Sequence, residues 1–210
     1  MNLIMFHASI VTAWSWPFIK TGETMGWKDF FGLGKKKAGE PDLIEDIEDL
    51  SLAKLKKGWF VDFDDKTWQV EAYNYYNWGS RDITHEWQLK SHDDTIYLGK
   101  ESDDEVSWSI SRKIQIGKLG PGITKHIIEH EDPPEQIVFE GTTFYLEESG
   151  GGYFFKDGKG PRKELLSWDY SDEPGENSLS IEQWGEEDFE ASVGEPVEEY
   201  RFTNILPSET

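Results

Sequence analysis

Two stretches of the chain, residues 61–101 and 138–183, follow the same pattern, and that repetition constrains the fold more than any other feature. The first opens VDFDDKTWQVE and the second VFEGTTFYLEE, each an apolar run interrupted by an acidic turn and resumed at an aromatic residue. HEWQLKSHDDTIYLGKE then answers LLSWDYSDEPGENSLSIEQ, which sets Trp87 opposite Trp168 and Ile96/Leu98 opposite Leu179/Ile181. The offset is 77 residues between Val61 and Val138 and 81 between the two tryptophans. A drift of that size fits loops of different length, because loops absorb insertions that strands do not. The pattern is that of one β unit present twice. What the copies share is apolar, namely Trp68/Phe144, Trp87/Trp168 and Leu98/Ile181, whereas His85 and His92 of the first copy have no histidine counterpart in the second. The repeat preserves a core and not a catalytic centre.

Within and around the copies, Trp59/Val61/Phe63, Trp68/Val70/Ala72, Val106/Trp108/Ile110, Ile137/Phe139, Phe144/Leu146 and Tyr153/Phe155 alternate with polar neighbours, the period of a half-buried strand. Turn residues punctuate them at Asp64 and Asp65, at Glu140 and Gly141, at 150–152, at 157–161, and at Pro174 and Gly175. The expected fold is mainly β, with two similar antiparallel units related by internal duplication: a helix plus a first unit over residues 41–117, a connector at 118–134, and a second unit over 135–207. The helix is expected over residues 41–57. Pro41 stands near its first turn, Asp42, Glu45 and Asp46 come early, and Lys54, Lys56 and Lys57 come late before Gly58, the charge order that a helix dipole favours. Leu43, Ile47 and Leu50 make its apolar stripe, with Leu52 and Leu55 on another side, and its expected role is to cover the sheet.

Charge is placed unevenly. Residues 1–57 hold eight Lys/Arg and eight Asp/Glu, so the formal net charge of −21 comes entirely from the rest of the chain. A body this acidic repels phosphate backbones, which argues against direct nucleic-acid binding. It leaves a solvated, soluble surface as the plain explanation, and as sharper ones a docking surface for a basic protein partner or an acidic decoy of a nucleic-acid-binding protein. There is no cysteine, so disulfides, thiolate metal sites and cysteine nucleophiles are excluded. Ten Trp, eight Tyr and twelve Phe supply the apolar surface that a disordered acidic tail lacks.

Residues 1–40 read as an arm. Residues 1–19 carry no charged side chain, but Asn2, His7, Ser9, Thr12, Ser15 and Pro17 make them a poor membrane span, and no basic region precedes them as a signal peptide requires. A misassigned start is the favoured reading, with Met25 of MGWKDFFGLGKKK as the natural beginning. A span followed by Lys20, Lys28 and Lys35 remains open, and both readings place the body in the cytoplasm. In the arm, Trp27, Phe30 and Phe31 stand at helical spacing with Lys35, Lys36 and Lys37 just after, the arrangement of a short segment that makes weak peripheral contact with an anionic membrane. Packing of these aromatics back on the body is the competing reading. The expected location is cytoplasmic, peripheral to the inner face of the membrane.

The run WDYSDEPGENSLSIEQWGEEDFEASVGEPVEEYRFTNILP resembles the C-terminal half of the DUF4178 family, and GWFVDFDDKTWQVEAYNYY with HEWQLKSHDDTIYLGKE resembles its first half, over about residues 50–207. The family has no established activity or catalytic residue set. Its members tend to be encoded beside phage-shock-type membrane-stress proteins, which implies a membrane-proximal adaptor more than a catalyst.

Chemical motifs are sparse. His126, Glu129 and His130 match the H-x-x-E-H pattern of metalloproteases, in which two His bind zinc and the Glu is the base. With Gly120–Pro121–Gly122 just before and Asp132–Pro133–Pro134 just after, there is room for barely two helical turns, and a solvated strand or connector is expected instead. The glycines at 158 and 160 lack the Ser/Thr and strand-to-helix setting of a phosphate loop, and Pro174 stands where a calcium loop built on Asp169, Ser171 and Glu173 needs its glycine. Tyr73, Tyr75, Tyr76 and Trp78 crowd a short stretch ending in Gly79 and are candidate partner contacts, with filling of a sheet edge as the alternative. The sequence therefore indicates no catalytic residues, no metal site and no cofactor, and points to a non-catalytic interaction module with a protein partner, basic or linked to membrane stress. A zinc-dependent hydrolase using 126–130 is the least favoured alternative.

Overall fold

A computed structural model describes residues 50–102 and 105–208, and the arm with its candidate membrane contacts lies outside them. The described chain is one antiparallel sheet of eleven strands and a single α-helix. In chain order the elements are β1 (Phe60–Phe63), β2 (Lys66–Gly79), β3 (Asp82–Lys90), β4 (Thr95–Ser102), β5 (Val106–Ile114), α1 (Ile123–His130), β6 (Gln136–Phe139), β7 (Thr142–Phe155), β8 (Arg162–Asp172), β9 (Ser178–Gln183), β10 (Phe189–Pro196) and β11 (Thr203–Leu206).

The sheet order is β11-β1-β2-β3-β4-β5-β10-β9-β8-β7-β6, and a further pairing between β2 and β7 closes it. β2 and β7 are each 14 residues long, enough for one edge to serve two partners. The first part of β2 pairs with β1, and Tyr75, Tyr76 and Asn77 pair with Phe155, Phe154 and Tyr153 of β7. β7 likewise pairs with β6 through Phe144 and its neighbours before it reaches β2. The result is a ring of β2, β3, β4, β5, β10, β9, β8 and β7, with β1, β11 and β6 outside the seam. Both long strands break register, β2 at Val70/Ala72 and again near its end at Asn77/Gly79, and β7 at Leu146/Glu148, and such bulges bend a strand sharply enough to turn it from one partner to the next.

β1–β5 and β6–β10 have the same connectivity, and each run carries its own apolar cluster on the outward face of the ring. One gathers Trp68, Val70, Trp87, Leu89, Ile96, Leu98 and Trp108 under Leu52, Leu55, Trp59 and Phe202. The other gathers Phe144, Trp168, Tyr170, Leu179 and Ile181 under Leu119, Ile123 and Ile127. Both central tryptophans are tied to their covers: Trp87 Nε1 donates to the Leu55 carbonyl at 2.9 Å, and Trp168 Nε1 to the Asp132 carboxylate at 3.1 Å. Buried indoles need such an acceptor, so each bond fixes where the cover lies.

The covers differ from what the sequence predicts. Residues 50–57 hold one 3-10 turn, Leu52–Lys54, in place of the last two turns of the expected helix. Leu50 also packs on this cluster, and in a helix it would stand nearly opposite Leu52; burying Leu50, Leu52 and Leu55 on one cluster requires the chain to leave the helical path, with Leu55 at ψ 133°. Residues 118–134, read as a connector, contain the end of the 3-10 turn Ile116–Leu119 and the helix α1. Among the described residues no helix is long and apolar enough to cross a membrane.

Candidate functional site

With the apolar residues turned outward, the alternate positions of the ring strands face inward, and these are polar. They enclose a cavity of about 450 Å³ to which all eight ring strands contribute. Eight strands give an interior that side chains can just fill or that can hold one small ligand, and the size of the inward residues decides which. Here they are small: Ser109 and Ser111 on β5, Ser167 on β8, Ser178 and Ser180 on β9, and Ser192 on β10. Gly99 on β4 completes the wall, where a Cβ would come within 2.7 Å of the Ser109 hydroxyl. At the seam, Gly152 lets β7 pass beneath Trp78, whose ring would lie 2.5 Å from an added Cβ. Trp78 in turn donates its indole N–H to the Thr84 hydroxyl at 3.0 Å and stacks on Tyr76.

Charge in the cavity falls into two groups. In the first, Lys113 of β5 contacts Glu182 at 3.0 Å and Glu190 at 2.6 Å, beneath the ring of Tyr97. Burial opposes the charge on Lys113, but Glu182 and Glu190 outweigh it and hold the ammonium well above the usual lysine range. Glu86 beside them accepts from the Asn74 amide at 2.9 Å, and burial still raises its pKa. The second group is Asp82, Glu101, Glu148 and Asp169, none of which forms an ion pair among the described residues. Asp169 accepts hydrogen bonds from Ser167 and Ser180, yet burial dominates and raises its pKa. Glu101 touches solvent at the rim. Loss of hydration against the wall, and then the charges of Asp169 and Asp82, raise its pKa as well. A cavity of this kind favours a positive guest, since one cation near the second group would relieve both the repulsion and the lost hydration.

The candidate partner contacts separate. Tyr73, Tyr75, Tyr76 and Trp78 all lie within β2, and the period of the strand divides them between two faces. Tyr76 and Trp78 line the cavity. Tyr73 lies outside it with its hydroxyl 2.7 Å from His85 Nδ1, and Tyr75 stacks on Phe155 at 4.5 Å. His126, Glu129 and His130 do come together, on α1, which corrects the expected strand or connector. Ile123 and Ile127 are buried one turn apart on the second cluster, and that packing stabilises a helix too short to persist alone. Gly122 and Glu131, both left-handed, bound it. Glu129 faces Lys125 at 3.5 Å, and among the described residues no group of three or more His, Cys, Asp or Glu could hold a metal ion.

Apart from Tyr76 and Trp78, the cavity residues are the ones that sequence reasoning missed. Their signal was present in S-W-S-I-S over residues 107–111 and in S-L-S-I-E over residues 178–182, small or acidic residues alternating with apolar ones. That alternation is the same whether the polar face meets bulk water or lines a closed ring. Only the β2–β7 pairing, between residues some 78 apart in the chain, distinguishes the two.

A family model described as a domain of unknown function, DUF4178, matches residues 56–199. An uncharacterised protein of Aquifex aeolicus (strain VF5) is 27% identical over 180 residues, 86% of this chain and 96% of that protein. No solved structure matches the chain.

Proposed function

The chain belongs to the DUF4178 family, and from that premise we propose that it is a non-catalytic binding module whose ring cavity takes a small organic cation, and that it serves as an adaptor for a protein partner near the membrane. The observation that carries the cation reading is the charge imbalance: Lys113 is satisfied by Glu182 and Glu190, while Asp82, Glu101, Glu148 and Asp169 face the cavity without a counter-ion among the described residues. Serine hydroxyls and the Tyr76 and Trp78 rings suit an ammonium or guanidinium group, which combines hydrogen-bond donors with a face for aromatic contact. An organic cation fits better than a bare metal ion, because the described carboxylates do not converge as metal ligands do.

Support for a non-catalytic role comes from the same side chains. The cavity serines have no histidine base within the lining, since His85 faces outward to Tyr73. Lys113, with its pKa raised, stays protonated at neutral pH and is neither base nor nucleophile.

Calorimetric titration with Nα-acetyl-L-argininamide and its uncharged analogue Nα-acetyl-L-citrullinamide tests the cation reading. The cationic compound should bind, with the analogue at least about tenfold weaker, and Glu101→Gln or Asp169→Asn should each weaken binding about tenfold, the equivalent of losing one charged hydrogen bond. Equal binding of the two compounds, or indifference to both substitutions, would sink it. The adaptor half is tested separately by pull-down from the native host and by liposome co-sedimentation; sedimentation unchanged on deleting residues 1–37 removes the membrane contact.

A further inference from the structure

Outside the cavity, α1 presents a second chemical feature. His126 and His130 stand four residues apart on this helix, so their side chains project from the same face on successive turns. Their rings stack with centroids 4.2 Å apart and planes inclined by 20°. His130 Nδ1 lies 2.9 Å from the His126 carbonyl oxygen. A carbonyl can only accept, so Nδ1 carries the proton and the lone pair of His130 is left on Nε2. That is the second-neighbour arrangement found around metal-bound imidazoles, where a backbone acceptor fixes the tautomer and aims the ligating nitrogen outward. His130 is exposed and His126 half-buried, so the pair is accessible from solvent. The helix below them is anchored by Ile123 and Ile127, which holds the pair in register without a metal.

We infer that His126 and His130 together form a two-nitrogen docking site for a first-row divalent transition metal, Cu(II) ahead of Ni(II) and Zn(II). The order follows from imidazole ligands and the intrinsic affinities of these ions. No third protein ligand completes the shell among the described residues, so water fills the other positions and the site is open. This distinguishes it from a hydrolytic zinc centre, in which three protein ligands hold the ion and a carboxylate acts as base; here Glu129 is turned to Lys125. The net charge of −21 favours cation approach at long range. Because the chelate joins two turns of the helix that covers the second apolar cluster, bound metal stabilises that cover, and binding appears as a rise in melting temperature.

The test uses the full chain, stripped with a chelator and titrated with Cu(II) by calorimetry, with electron paramagnetic resonance to count nitrogen ligands. The expected result is one equivalent bound through two nitrogens, a higher melting temperature, and a loss of affinity of about tenfold or more in either His126→Gln or His130→Gln, the scale on which a metal site responds to losing a supporting group. His85→Gln and His92→Gln should bind as the parent does. Selective broadening of α1 amide signals by substoichiometric Cu(II) gives a second readout that needs no substitution. Retention of full affinity in the double variant His126→Gln/His130→Gln, or broadening centred elsewhere in the described chain, overturns the inference.

Discussion

The two halves of the ring are alike where they are apolar and unlike where they are polar. Outward, Trp87 and Trp168 hold the same place in β3 and β8, both buried and both bonded to a covering segment. Inward, β3–β5 supply Asp82, Glu86, Glu101 and the one lysine of the described lining, Lys113, with Ser109 and Ser111, whereas β8–β10 supply Ser167, Ser178, Ser180 and Ser192 with Asp169 and Glu182. Closing a ring requires two compatible outward faces, each able to bury itself under a cover. Nothing in that requirement fixes what the cavity contains, so the inward positions are free to specify a guest.

The largest effects should come from the shared feature. Trp87→Ala and Trp168→Ala each empty the centre of one cluster and should cost about 3–5 kcal/mol, read by denaturant unfolding. Similar costs in the two halves would sustain the comparison, and a cost near zero in either would break it. Replacing each tryptophan by Phe keeps most of the apolar volume and removes only the indole donor. Trp87→Phe should cost about 1–3 kcal/mol, because it strands the Leu55 carbonyl beneath a buried cluster. Trp168→Phe should cost less, because the exposed Asp132 can turn to water. Equal costs for the two Phe variants would show that the covers are not held as differently as their geometry implies.

The inward faces lend themselves to the opposite kind of prediction. Ser192→Leu should fill cavity volume at modest cost in stability and weaken cation binding about tenfold or more, measured by calorimetry. Glu101→Gln should raise stability at neutral pH by at most roughly 0.5 kcal/mol, because solvent at the rim screens the repulsion, while weakening binding, a trade between fold and function. The sign follows from its raised pKa. A carboxyl that holds its proton more tightly when folded favours the folded state at low pH and loses that advantage as pH rises from the unfolded pKa through the folded one. Glu86 and Asp169 act in the same direction. Asp94 and Asp172 act oppositely. Burial is the largest influence on Asp94 and works against its charge, but hydrogen bonds from Arg112 and Thr95 prevail and lower its pKa; bonds from Asn177 lower that of Asp172. Their stabilisation is present above the ordinary carboxylate range and is lost as pH falls through their folded values. In Glu101→Gln the decline in stability between mildly acid and neutral pH should be shallower than in the parent, and an unchanged profile would remove Glu101 from the repulsive group.

How much of this was legible in the sequence depends on the range of the interaction. Strand alternation, turn residues and the pairing of Trp87 with Trp168 are set within a few residues or by direct self-comparison, and they led to a mainly β antiparallel fold. The covers were harder. Whether residues 50–57 continue a helix is decided by where Leu52 and Leu55 find the sheet, and α1 exists because Ile123 and Ile127 are buried on a cluster built from β7, β8 and β9. The cavity was least legible, since Ser180 or Glu101 on a strand reads as a solvated position until distant strands close around it. Tyr76 and Trp78 were singled out for their density and do reach the cavity, but Tyr73 and Tyr75 of the same run face the other way.

Whether the ring interior is a binding site can be read from amide chemical shifts in the intact protein titrated with Nα-acetyl-L-argininamide. Saturable shifts should converge on Gly99, Glu101, Ser167, Asp169 and Ser180, from strands of both halves, and vanish in Asp169→Asn. Shifts scattered over the outer acidic surface, growing linearly with ligand and untouched by that substitution, would mean that the cavity is only a polar void.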